Sequence, residues 1–255
     1  MMVPVFLRAM VSGLCLVLAL GACVQEEIQR TFALPSCQNL RVRGNVLLEL
    51  RVKDEQVQAN ETLKVSGALE AVNGFSMVHS AGRVSIESAA PEAVNLVVYC
   101  SDLRKLELLG KVHAQQLGNA VLGSDYERLA VYGESQLSLK GVRSEQLDIR
   151  VSGQGQLNVE NIVADSIQVL ASSASQIVLH GESAQLQLNV LGHGRVNTQA
   201  LAAQGVDVKI GGDSRVIVHA SAHLGGQVSD ASELSYRGTP DLSVEETGSA
   251  LIVKI

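Results

Sequence analysis

The sequence predicts an all-β fold: a single-domain parallel β-helix, or solenoid, with coils of about 20 residues. Three observations predict it. An aliphatic residue returns after each of a series of small-residue breaks, at Leu137, Leu157, Ile177, Val196, Val216, Leu234 and Leu251. Between breaks, apolar and polar residues alternate, the period of a strand with one buried face. Aromatic residues make up only 3% of the chain, which suits a narrow interior filled by Val, Ile and Leu.

One repeat, LDIRVSGQGQLNVE at residues 147–160, shows the unit. Leu147, Ile149 and Val151 point inward, Gly153-Gln154-Gly155 turns the chain, and Leu157 and Val159 point inward again. Equivalent breaks are Ser173-Ala174-Ser175, Gly192-His193-Gly194, Gly212-Asp213-Ser214, Asp230-Ala231-Ser232 and Thr247-Gly248-Ser249, all of residues suited to tight corners. The strand before each break keeps the same beat: Leu129/Val131, Leu147/Ile149, Ile167/Val169, Leu186/Leu188, Val206/Val208 and Leu242/Val244. Gly225-Gly226 interrupts it once, in the rung near Leu224–Val228. Val142, Ile162 and Leu201 mark a third inward contact.

A stack of hairpins shares this strand spacing. It has no reason, however, to restore one turn chemistry at every second strand. In a solenoid, like residues lie over like at about 4.8 Å. Gln136, Gln156, Gln176, Arg195 and Arg215 form such a ladder. The crossover rule favours right-handed coiling.

The repeats are assigned to 106–255 and an irregular, strand-rich cap to 38–105. In the cap, Leu40–Val42, Val46–Val52, Leu63–Val65, Arg83–Ile86 and Asn95–Tyr99 read as strands. A cap is expected because the end strand of a solenoid is an aggregation-prone edge.

Residues 1–22 read as a secretory signal: Arg8 precedes the apolar run Val11–Leu20, too short to span a bilayer as a helix. Leu20-Gly21-Ala22-Cys23 resembles a bacterial lipoprotein box, which makes Cys23 the lipidated first residue and residues 23–37 a tether. The alternative is an ordinary secreted chain cut after Ala22. Val24 at the next position suggests the outer membrane, by analogy with lipoprotein sorting. Cys37 and Cys100 remain. In an oxidising compartment they form either a disulfide or two buried thiols. With a net charge of −6 and interspersed charges, nucleic acid is not an expected partner.

No constellation of catalytic residues emerges. Asp148, Gln168, Gln187 and Asp207 share an outward column, with the two carboxylates three coils, or about 14 Å, apart. Tyr132, Arg150, Leu170, Asn189 and Lys209 are read as the neighbouring column. Glu160, His180, Gln199 and His219 are read as a third, whose histidines are too far apart to share a zinc ion. No periodic Asp series supplies a calcium site, and no metal or cofactor is expected. With no Trp, four Tyr and three Phe, an aromatic sugar-stacking platform is not expected either.

Gly44-Asn45-Val46, Ser152-Gly153-Gln154-Gly155-Gln156-Leu157, Gly192-His193-Gly194-Arg195-Val196 and Tyr236-Arg237-Gly238-Thr239-Pro240 together resemble the auto-transporter adhesin head domain, or GIN domain, a family of unknown function. The resemblance covers roughly residues 38–253 and implies a β-helix-like fold, an adhesive or scaffolding role and no catalytic residues. Ser173-Ala174-Ser175 departs from its glycine-rich turns. The expected function is a lipid-anchored, non-enzymatic scaffold or binding module of the cell envelope. Its expected contacts are the membrane, through Cys23, and a second copy or protein partner, through the apolar C-terminal coil Ala250–Ile255. The alternative is a polysaccharide lyase or hydrolase built on the same helix.

Overall fold

The computed structural model describes residues 27–52, 61–118, 123 and 125–255. The predicted signal 1–22, the lipidation site Cys23 and the first residues of the tether lie outside the described residues. The protein is 75% strand and 2% helix, and its parallel coils stack into a β-solenoid of about seven turns in a single domain.

The N-terminal part supplies β1 (Glu27–Ala33), β2 (Asn39–Val52), β3 (Thr62–Ala68), the short helix α1 (Leu69–Asn73), β4 (Phe75–Ser80), β5 (Arg83–Ser88) and β6 (Val94–Cys100). Coils follow through β7 (Lys105–Leu117), β8 (Arg128–Gly133), β9 (Gln136–Lys140), β10 (Arg143–Gly153), β11 (Gln156–Ser173) and β12 (Gln176–Gly192). They continue with β13 (Arg195–Ile210), β14 (Arg215–Val228), β15 (Glu233–Arg237), β16 (Asp241–Glu246) and β17 (Leu251–Lys254).

The core is a set of aliphatic columns along the solenoid axis. Leu48, Ala114, Leu137, Leu157, Ile177, Val196, Val216 and Leu234 are successive partners in parallel register and are all buried. The column ends on Ile252, not on the expected Leu251, which is 53% exposed. A second column runs Leu40, Leu106, Leu129, Ile149, Val169, Leu188, Val208, Gly226 and Val244. It corrects the expected register of β8 by two residues, since Leu129 and Val131 lie beside Ile149 and Val151. It also explains the interrupted rung. A side chain on Gly226 would run into the Val208 carbonyl, so only glycine lets the strands approach there.

The corners repeat a two-part device. The first residue of each corner takes positive φ: Gly133, Gly153, Ser173, Gly192, Gly212, Asp230 and Gly248 lie between +61° and +93°, which sets the last corner one residue later than the expected Thr247–Ser249. Two residues on, Ser135, Gly155, Ser175, Gly194, Ser214 and Ser232 stack inside the bend, each carbonyl accepting the backbone N–H of the residue that begins the next coil's strand. Small residues are required because this column is buried; a side chain on Gly194 would reach within 2.8 Å of Val190 Cγ1. The buried hydroxyls reach back one coil: Ser135 Oγ donates to Gly110 O (3.2 Å) and Ser232 Oγ to Gly212 O (3.3 Å).

The N-terminal part is more than a cap. β2 runs parallel to β7 over Asn39–Arg51, so parallel coiling reaches back past the expected start at residue 106. On its other edge, β2 pairs in parallel with β5 and then with β6. The stack therefore reads β5–β6, then β2, then β7, out of chain order. The terminal edge is covered by antiparallel strands: β3 on β6, β1 on β3 and β4 on β5. Cys37 and Cys100 are disulfide-bonded, with Cα atoms 5.8 Å apart, and tie the entry of β2 to the exit of β6.

Candidate functional site

Two outward faces carry the polar side chains. The first lies on the strands that precede the corners. Its column runs Lys105, Arg128, Asp148, Gln168, Gln187 and Asp207, so Asp148 and Asp207 are three coils apart, as expected. The neighbouring column differs from expectation: Arg150 lies beside Ala130, and Tyr132 beside Ser152. This follows from the two-residue register of β8.

The charges around Asp148 are engaged with one another, whereas Asp207, among the described residues, is in no ion pair. Asp148 accepts from Arg128 of the preceding coil (2.8 Å) and from Arg150 two residues along its own strand (3.0 Å). The Asp148 carboxylate raises the pKa of Arg150, chiefly through its hydrogen bond. Arg41–Glu107 also bridges adjacent coils on this face, at 3.4 Å, and Lys140–Glu160 and Arg215–Glu233 do so on the strands that follow the corners, at 3.7 and 3.6 Å. Gln168 Nε2 donates to Gln187 Oε1 at 3.2 Å. A carboxylate clamped between two guanidiniums is poorly disposed to serve as a general base.

The histidines do not form the expected column. His180 lies beside Ala200, and Ala202 beside His219, because the ladder shifts register between Val178 and His180 and again between Asn197 and Ala202. Among the described residues, Cys37, Glu61 and Cys100 lie within ligand distance of one another. The two sulfurs are bonded to each other, so neither offers the thiolate a metal would need.

The second face lies on the strands that follow the corners and forms a groove of about 780 Å³. Two outward columns line its floor. One runs Asn95, Leu47, His113, Gln136, Gln156 and Gln176. The other runs Val97, Glu49, Gln115, Ser138, Asn158 and Val178. The first continues into Arg195 and Arg215, in the register the sequence predicts. Sequence reasoning found the Gln136–Gln156–Gln176 ladder but missed the row beside it. The signal was available: Gln115, Ser138 and Asn158 are the next outward positions on the same strands. What it could not supply was the contribution of β2 and β6, which join the groove out of chain order.

The groove mixes polar and apolar side chains and is nearly uncharged. Its only carboxylate, Glu49, is paired with Arg51 at 2.8 Å. Among the described residues, the side chains of Gln115, Gln136, Ser138, Gln156, Asn158 and Gln176 take part in no hydrogen bond within the protein. The groove thus differs from the surroundings of Asp148: there the polar groups hold adjacent coils together, whereas the groove leaves its amides open.

No curated protein matches this sequence. Among solved structures, a "putative adhesin" from Parabacteroides distasonis ATCC 8503 superposes with a TM-score of 0.78 at 16% identity, over 91% of this chain and 98% of that one. A "putative adhesin" from Parabacteroides merdae ATCC 43184 gives 0.78 at 12% identity, over 91% and 97%. A "putative lipid binding protein" from Parabacteroides distasonis ATCC 8503 gives 0.74 at 16%, over 91% and 98%. At these identities the likeness is one of fold. The model of the family described as "Putative auto-transporter adhesin, head GIN domain" matches residues 38–240, and the chain belongs to that family.

Proposed function

We propose that the protein is an adhesin-like, non-enzymatic binding module of the cell envelope, anchored in the outer membrane by lipid on Cys23. The observation that carries this reading is a contrast: Asp148 is clamped between Arg128 and Arg150, whereas a long groove presents unpartnered amides. Membership of the adhesin-head family supports it, as do solved structures of the same fold described as adhesins. The lipid anchor rests on Leu20-Gly21-Ala22-Cys23 alone. The test is whole-cell adhesion with and without Cys23→Ala. Loss of surface-exposed protein and of adhesion in the variant is expected; unchanged adhesion would refute the anchored reading.

The C-terminal end contributes a second contact, with another copy of the chain. Leu242, Leu251 and Ile255 are 51%, 53% and 54% exposed on the last coil, whereas strands cover the N-terminal end. An open end that can meet only another open end gives a closed two-fold dimer and no filament. Sedimentation at high concentration is expected to show a dimer that Leu242→Asp disrupts; a clean monomer refutes it.

A further inference from the structure

The groove has a repeat length and a chemistry, and together they specify a class of ligand. The rows His113/Gln115, Gln136/Ser138, Gln156/Asn158 and Gln176/Val178 lie on adjacent strands, spaced by about 4.8 Å along the solenoid axis. A stacked glutamine column ordinarily bonds along itself, as Gln168 and Gln187 do on the other face. Gln136, Gln156 and Gln176 do not, so each row offers a free carbonyl acceptor and a free amide with two donors.

A partner for such rows must carry donors and acceptors together and repeat at the same interval. It must also be uncharged, because Glu49 is already paired and the guanidinium of Arg195 begins only beyond Gln176. An extended peptide rises about 3.3 Å per residue and loses step with the rows within two strands. A sugar unit in an extended, equatorially linked chain advances by close to one strand spacing, and its hydroxyls both donate and accept. Leu47, 46% exposed, and the half-buried Val97 and Val178 give the groove apolar shoulders for the C–H faces of the rings. No tryptophan is present to stack on a ring. Affinity then has to accumulate over many rows of modest hydrogen bonds.

We propose that this groove binds a neutral, extended, β-linked polysaccharide along the solenoid axis, one sugar unit to each strand. The proposal rests on the adhesin-like reading and names what it would adhere to.

Titration calorimetry of the full chain with β-1,4-glucan oligomers of about two to eight units tests it. Six strands line the floor, so affinity is expected to climb with length and level off near six units. The triple variant Q136A/Q156A/Q176A is expected to bind the longer oligomers about tenfold or more weakly, with an unchanged melting temperature. Asp148→Asn, on the other face, is expected to bind as the parent does. Equal affinity for the shortest and longest oligomers, undiminished binding by the triple variant, or preference for an uncharged extended peptide would each overturn the proposal. Whole-cell adhesion separates the two readings. Adhesion lost in the triple variant without any oligosaccharide binding overturns the sugar assignment and keeps the adhesin. Oligosaccharide binding by a protein that confers no adhesion does the reverse.

Discussion

Replacing Ser173 by glycine is expected to stabilise the protein, and replacing Asp230 by glycine is not. Both residues occupy the positive-φ column of the corners, at +62° and +61°, where the other members are glycine. That conformation costs a residue with a Cβ about 1–2 kcal/mol. Glycine's larger unfolded-state entropy returns about 0.5–1 kcal/mol of the gain. Ser173→Gly is therefore expected to add about 0.5–1 kcal/mol, a rise of about 1–4 °C in a domain of this size. Asp230 differs because its Oδ2 accepts the backbone N–H of Gly212 at 2.8 Å. A hydrogen bond to a charged group contributes about 1.5–3 kcal/mol, less at an exposed site such as this one. Its loss cancels the relief of strain. Thermal melts by circular dichroism, run side by side, check the difference. A lower melting temperature for Ser173→Gly, or an equal rise in both variants, would refute the reasoning.

The buried serine column makes a parallel prediction: Ser175 Oγ has no hydrogen-bond partner, whereas Ser214 Oγ donates to Gly211 O at 2.9 Å and Gly192 O at 3.2 Å. Ser175→Ala is expected to stabilise by about 1 kcal/mol and Ser214→Ala to destabilise by about as much, as read by denaturant midpoints. The disulfide closes a loop across a separation of 63 residues, which the chain-entropy model rates at about 4 kcal/mol. Cys37→Ala/Cys100→Ala is expected to lower the melting temperature while the repeat coils keep their far-ultraviolet spectrum; a melting temperature equal to the parent's under oxidising conditions would count against a stabilising bridge.

The repeat was legible because each coil meets only its neighbours, so one period fixes many contacts. Leu137 through Leu234 fall in one column, as their spacing predicts. The errors arose where the period was counted without an anchor. In β8 the corner glycine is the anchor: Gly133 lies beside Gly153, which puts Val131 beside Val151. Counting back from the positive-φ residue would have given the register that the aliphatic pattern alone missed by two. The histidine column failed for a different reason. The bend after each second strand absorbs extra residues, as the shifts near Val159/Ile162 and Val178/His180 show, and alternation carries no record of a bulge. The groove was half legible, since its glutamine ladder is periodic. Its concavity depends on β2 and β6, whose placement is a long-range matter of topology.

The insertion of β2 between strands made later in the chain bears on how the molecule is assembled. Synthesis delivers Asn39–Val52 long before Lys105–Leu117, the neighbour on one edge, and before Arg83–Cys100 on the other. Through that interval β2 has no permanent partner on either side. The N-terminal half thus cannot be laid down rung by rung as the C-terminal half can. One edge of β2 can be filled only once Arg83–Cys100 has been made, and the other only after Lys105–Leu117. The crosslink between residues 37 and 100 then joins the entry of β2 to the exit of β6, the strand whose synthesis gives β2 its partner on that edge.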